Sequence, residues 1–181
     1  MICPYGEDIS YRIELLSPDK QYALGDFSCG NEYLDKYLKV DSVKDENVVT
    51  YLFTDEEDEK IIGYCSLTCS GIHYEWEGVR QTLPAIEVKY FALDSHYQKR
   101  RFDDVDDDGT HFYLSDKLLC DMIQTCQKIS REVLGASYVI LYSVPNAVHF
   151  YKRNCFQSYN EYMKEDNIRL LDGCTAMYLE L

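Results

Sequence analysis

Gln98, Lys99, Arg100 and Arg101 follow an apolar run ending at Leu93 and precede a helical pattern that opens near Leu114. A strand, a short basic loop and a helix start form the layout of a phosphate-binding turn. Backbone N–H groups left unpaired at a helix start can hold an anion, and the three basic side chains add charge-assisted donors. Five aspartates between Asp103 and Asp108 oppose this, and the glycines of a phosphate cradle are missing. Asp104, Asp106, Asp108 and Gly109 also match the first half of a calcium loop, D-x-D-x-D-G. The twelfth position of that loop is Ser115 rather than an acid, and no helix precedes it. A solvated acidic loop is the better reading, and no metal is expected.

Other candidate groups lie outside the loop. Glu87 and Phe91 share a face of the apolar run, because side chains alternate along a strand. The bland alternative for Glu87 is a solvated carboxylate or one paired with Lys89. Phe150 and Tyr151 form an aromatic pair that would pack a short helix to a sheet. With 17 tyrosines in the chain, Tyr151 means little until its context is considered. Trp76 and His73 could line a pocket or serve as structural aromatics, and His149 reads as a surface residue.

The elements that must position these groups are legible in part. Tyr11–Leu16 reads as a first strand, and "SPDK" as a turn. Asn31 could cap a helix whose apolar face carries Phe27, Leu34, Tyr37 and Leu38. Val48–Phe53 and Ile61–Cys69 read as a hairpin across the charged "TDEEDEK". Ser70–Thr82 has no clear form, and the central strand is expected from Pro84 to Leu93. A helix over Leu114–Leu134 is the clearest element, with an apolar stripe from Leu114 to Leu134, a cap from Ser115 or Thr110, and Gly135 at its end. "ASYVILYSV" is a strand, Pro145 opens a short helix, Phe156–Met163 is a strand, and "CTAMYLEL" closes the chain. The pattern β, α, β, β, β, α, β, α, β, β implies an α/β domain with a mixed sheet.

Composition narrows the class. The chain has 181 residues and a formal net charge of −14, enough length for one domain, here 1–181, with an acidic insertion at 102–113. No apolar run approaches a membrane span, and the start lacks a secretory pattern, so a soluble cytoplasmic protein without a membrane partner is expected. Eight scattered cysteines without a CxxC pair read as reduced thiols, largely in the core, rather than disulfides or a zinc site. The acidic balance argues against nucleic acid and suits a cationic amine.

The order of elements over residues 10–181 resembles the GNAT N-acetyltransferase fold. "IIGYCSL" is similar to the family's second hairpin strand, and "EVKYFALDSHYQKR" to its central strand and the opening of its acetyl-CoA loop. "AVHFYKRNCF" is similar to the signature A-x-x-F-Y-x-x-x-G-F, with Ala147, Phe150, Tyr151 and Phe156 in place and Cys155 at the glycine. "FSCGNEYLDKYLK" resembles the branch that includes tRNA-acetylating toxins.

The resemblance implies a mixed sheet of about six to seven strands flanked by helices, with acetyl-CoA as co-substrate. It also implies direct transfer of acetyl to an amine of a small molecule or protein. Tyr151 would be the acid that protonates the leaving thiolate, since a phenol near pKa 10 is close to a thiol. Glu87 would be the base that activates the amine through water. The backbone of Phe91, Ala92 and Leu93 would hold the pantetheine arm. Gln98, Lys99, Arg100, Arg101 and the helix start at Ser115 would hold the diphosphate. Val144 stands where similar sequences often have a cofactor-reaching asparagine, with Asn146 two residues on. The resemblance admits a homodimer. Two alternatives stand beside it: a binding module that has lost acetyl-CoA affinity, and a toxin-like enzyme acting on charged tRNA.

Overall fold

The computed structural model describes residues 9–105, 111–164 and 173–181. The strands are β1 (Tyr11–Leu15), β2 (Val49–Asp55), β3 (Ile61–Trp76), β4 (Val79–Leu93), β5 (Arg101–Val105), β6 (His111–Tyr113), β7 (Tyr138–Ser143), β8 (Gln157–Ser158), β9 (Met163–Lys164) and β10 (Thr175–Glu180). The helices are α1 (Glu32–Lys36), α2 (Leu114–Ile129) and α3 (Val148–Arg153). The main sheet runs β1-β2-β3-β4-β7-β10-β8, with β9 pairing β3. It is mixed: β1–β2, β2–β3 and β7–β10 are antiparallel, while β4–β7 is parallel. The α/β class and mixed sheet expected from the sequence are therefore present.

The chain divides into two compact units, residues 1–67 with 90–121, and residues 68–89 with 122–181. In the first, Leu24, Phe27, Leu38, Leu52, Tyr64 and Ala92 are buried together. Asn31 caps α1 by accepting from the Tyr33 and Leu34 N–H groups at 3.0 and 3.2 Å. α1 passes into a wider π turn over Tyr37–Asp41, which buries Tyr37 and Leu38. In the second unit Ile72, Ala85 and Ile140 are buried, with Tyr138, Tyr159 and Tyr178 packed against them.

Several sequence expectations need correction. Pro18–Leu24 is a 3-10 helix rather than a turn. Ser70–Thr82 is a hairpin: β3 continues to Trp76, and Glu77 and Gly78 turn the chain with φ of 49° and 77°. Two consecutive positive φ angles suit the right-handed twist of paired strands. Phe156–Met163 is not one strand but the short β8 and β9. The long helix is regular only to Ile129 and then widens into a π turn over Ser130–Leu134, ended by Gly135 in the left-handed region. Leu114, Leu118, Leu119, Met122 and Cys126 are buried as the stripe requires, whereas Val133 and Leu134 are exposed because the π turn breaks the 3.6-residue phase. None of the seven described cysteines is in a disulfide, and of these only Cys65 and Cys126 are buried. Burial pushes the Cys126 thiol up to about 12. No described helix is long and apolar enough to cross a membrane.

At Gly63 β3 runs close to β4: an added Cβ would lie 2.7 Å from the Ala92 carbonyl oxygen. That contact is with backbone and has no easy relief. Gly63→Ala is expected to destabilise the protein by about 2 kcal/mol, read as a lower denaturant midpoint with an unchanged slope; an unchanged midpoint would show that the strands can separate freely there.

Candidate active site

The loop after β4 is built on Asp94. Asp94 is buried, 5% exposed. Oδ2 accepts from the Ser28 N–H at 2.8 Å, and Oδ1 accepts from the His96 N–H at 2.9 Å and faces His96 Nδ1 at 2.8 Å. The Asp94 N–H donates to the Ile62 carbonyl and the Ser95 N–H to the Ser28 carbonyl. Burial works against this carboxylate, but the N–H bonds from Ser28 and His96 prevail and hold it below the usual carboxylate range. Sequence reasoning passed over Asp94. The signal available was an aspartate directly after a buried strand, a residue that readily bonds the backbone two residues on.

The expected diphosphate ligands lie together in this loop, several already engaged. The Gln98 side-chain amide donates to the Cys29 and Leu93 carbonyls, both at 2.9 Å. Lys99 is exposed and takes φ 62°, the left-handed region where a glycine would be unstrained. Arg100 Nε donates to the His96 carbonyl at 3.2 Å, and its guanidinium lies 4.8 Å from the Tyr97 ring centre. Arg101 is half-buried and opens β5, opposite Tyr113 in β6.

The insertion expected at 102–113 is a hairpin at its base, and residues 106–110, with Thr110 and most of the D-x-D-x-D-G pattern, lie outside the described residues. The Leu114 N–H donates to the Arg100 carbonyl at 2.9 Å. That bond closes the hairpin and keeps the loop beside the start of α2. Ser115 is the second residue of α2. The bond across the helix start comes from Asp116, 2% exposed, whose Oδ2 accepts from the Tyr113 N–H at 2.9 Å. Its spacing from Tyr113 is that of the return bond in a capping box, but tyrosine and aspartate are not the residue types that mark one in a sequence.

Beside the loop lies a cavity of about 690 Å³ whose lining includes Asp26, Asp55, Glu57, Asp58, Tyr97 and Arg100. The Tyr97 hydroxyl donates to Asp55 Oδ2 at 3.3 Å. Burial first, then the Asp55 and Asp58 charges, push its phenol up to about 12. Among the described residues no group of three or more His, Cys, Asp or Glu could hold a metal.

Glu87 is buried, 3% exposed, in the β4–β7 ladder opposite Ile140. That ladder comprises Ala85–Val88, and β4 continues through Phe91, Ala92 and Leu93. Ala92 and Leu93 are buried, while Phe91 is half-buried with its ring edge-on to Phe53. Tyr151 is buried on α3, edge-on to Phe150 and Phe156. Cys155 has φ 67° and donates its N–H to the Lys152 carbonyl. The position where the signature has glycine therefore does need the left-handed region, and Cys155 adopts it with strain. Val144 precedes the 3-10 helix Pro145–Ala147 and is exposed, as are Asn146 and His149. His73 faces Thr82 across the β3–β4 hairpin, and the exposed Trp76 packs on Tyr162, which lies just before β9.

Two stability outcomes follow from this geometry. Cys155→Gly is expected to raise stability by up to about 1 kcal/mol, because release of strain exceeds the added chain entropy; a lower melting temperature would contradict it. Asp94→Asn is expected to cost about 2 kcal/mol at pH 7. The native carboxyl is held below its unfolded value, so its contribution is present above about pH 4 and is lost as pH falls through the native value. Denaturation at pH 7 and pH 3 should show the wild-type advantage shrinking in acid; an equal gap at both would reject the assignment.

No known family profile matches the chain, and no curated protein does. Solved structures do match. One described as a bacterial toxin is 19% identical, with a TM-score of 0.70, over 96% of this chain and 92% of its own. A tyrosine-to-phenylalanine mutant of KacT is 16% identical, with a TM-score of 0.70, over 94% of both chains. AtaT complexed with acetyl-methionyl-tRNAfMet is 18% identical, with a TM-score of 0.69, over 94% of this chain and 95% of its own. Other AtaT structures hold acetyl-CoA or the C-terminus of the antitoxin AtaR, and KacTA is seen with DNA. The sequence expectation against nucleic acid finds no support among these neighbours. Net charge is a global sum, whereas nucleic acid is met by a local patch. At these identities the likeness is one of fold, and the chain has the fold of the GNAT N-acetyltransferases.

Proposed function

We propose that the chain is an acetyl-CoA-dependent N-acetyltransferase. The observation that carries the reading is β4. Its ladder with β7 covers Ala85–Val88, and the strand runs on through Phe91–Leu93 in a fold shared with AtaT, whose structures hold acetyl-CoA. In the proposed reaction the backbone of Phe91, Ala92 and Leu93 receives the pantetheine arm as an added strand. The amine nitrogen attacks the thioester carbonyl and the C–S bond breaks. Glu87, through water, takes the proton the amine loses, and the Tyr151 hydroxyl gives one to the departing thiolate. The products are an N-acetyl amide and the CoA thiol. Lys99, Arg100 and Arg101 supply positive charge beside the loop, and Ser115 belongs to the helix start that faces it.

The acceptor is an amine of a small molecule or protein. A second acceptor, the α-amino group of an aminoacyl-tRNA, is favoured by the likeness to AtaT seen with acetyl-methionyl-tRNAfMet. A panel of polyamines, peptides and charged tRNAs, assayed for thiol release from acetyl-CoA, separates the two.

Tyr151→Phe is expected to lower kcat by about 100-fold while leaving acetyl-CoA affinity unchanged. Unchanged turnover would remove Tyr151 as the acid. Glu87→Gln should lower kcat/KM and abolish the acid limb of its pH profile, because the limb reports the deprotonated base; a persisting limb would assign the base elsewhere.

A further inference from the structure

We infer that the outer edge of β1 is an interface for a second copy of this chain, the two β1 strands pairing antiparallel about Ile13. The inference is independent of the acyl-transfer reading.

β1 ends the strand order, and among the described residues it pairs with β2 alone. The register fixes which backbone groups that pairing uses. The Glu56 N–H donates to the Ser10 carbonyl and the Leu16 N–H to the Thr50 carbonyl, with Ile13 opposite Phe53 between them. Bonded and non-bonded pairs alternate along an antiparallel ladder. Ser10, Arg12, Glu14 and Leu16 therefore turn their N–H and C=O groups to β2, and Tyr11, Ile13 and Leu15 turn theirs outward. An edge of that kind is a template for another strand. Ile13 and Leu15 add apolar side chains that are 36% and 55% exposed. The edge is held in place from within, since the Tyr11 hydroxyl donates to Asp121 on α2 and its ring stands edge-on to Phe53.

The order of residues along the edge selects the occupant, because Tyr11–Leu15, "YRIEL", is complementary to itself. A two-fold axis at Ile13 sets Tyr11 opposite Leu15 of the second copy and Ile13 opposite its own equivalent. The outward groups then fall in bonded pairs, each exchanging both N–H···O bonds. The same axis sets Arg12 opposite Glu14 of the second copy in the closer, non-bonded pairs, where opposite charges attract. The alternatives are excluded by the same residues. A slip of one residue points the outward groups at none of their partners. A slip of two restores the bonds but sets Arg12 opposite Arg12, or Glu14 opposite Glu14, which repel.

Neighbouring charges permit the approach. Arg12 bonds Glu14 and Glu59, Lys20 bonds Glu14, and the Thr54 hydroxyl donates to Glu14 at 2.8 Å. This face thus carries two cations and two carboxylates and presents no net charge to its equivalent. On the other face Lys117 pairs with Asp121. The net charge of −14 on each chain opposes association at long range, and salt at about 0.15 M screens it beyond about 8 Å.

The test is sedimentation and amide hydrogen exchange of the full-length protein from about 5 to about 500 μM in about 0.15 M salt. A monomer–dimer equilibrium is expected, with a dissociation constant on the order of 10 μM, as suits a small interface. Exchange at Tyr11, Ile13 and Leu15 should slow by about fivefold over that range, while Arg12 and Glu14, already bonded to β2, change little. Arg12→Glu and Glu14→Arg each set like charges across the axis, so each variant alone should stay monomeric. Mixed in equal amounts, they restore opposite charges and should form a heterodimer. A wild-type monomer at about 500 μM overturns the inference. So does a dimer whose Tyr11, Ile13 and Leu15 amides exchange independently of concentration, or a mixture of folded variants no more associated than its parts. If either variant fails to fold, the wild-type exchange decides alone.

Discussion

The hydrogen bond from the Leu114 N–H to the Arg100 carbonyl, at 2.9 Å, is the constraint on which the loop region depends. A strand, a tight loop and a helix start must be contiguous to hold an anion. Here an insertion separates loop and helix in sequence. The bond restores contiguity in space by closing the hairpin where Arg101 meets Tyr113. Asp94 does the matching work on the other side of the loop, tying it to Ser28 and, through its own N–H, to Ile62 in β3. The basic loop is therefore clamped at both ends.

That clamp is built from groups a ligand would also want. Gln98 and Arg100 bond neighbouring carbonyls, and Asp116 spans the helix start. Where similar chains would use glycines for close backbone approach, this chain uses side-chain bonds to hold its loop. β4 shows no such compromise: Glu87 is buried in the ladder, and Phe91–Leu93 continue the strand beyond it. The chemistry proposed for the chain is accordingly better supported on the strand than on the loop.

Sequence legibility followed local physics. The cap of α1 at Asn31 and the apolar stripe of the first turns of α2 were readable, whereas the cap expected from Ser115 was not, since Ser115 is already the second residue of that helix. The α3 signature was readable down to Cys155, and its φ of 67° explains why glycine usually stands there. The Ser70–Thr82 hairpin was missed because it is exposed from Trp76 to Thr82 and loses its alternation there. The strand expected over Phe156–Met163 was an error of the opposite kind, since aromatic content mimicked β preference where only β8 and β9 form. Asp94 and Asp116 were hidden among 32 acidic residues; their importance comes from burial, which composition does not report.

The most direct test of the account is calorimetric titration of the protein with acetyl-CoA. Saturable one-site binding, with thiol released once an amine acceptor is supplied, is the predicted result. No detectable heat of binding at millimolar acetyl-CoA would contradict it and leave a GNAT-fold module without acetyltransferase chemistry.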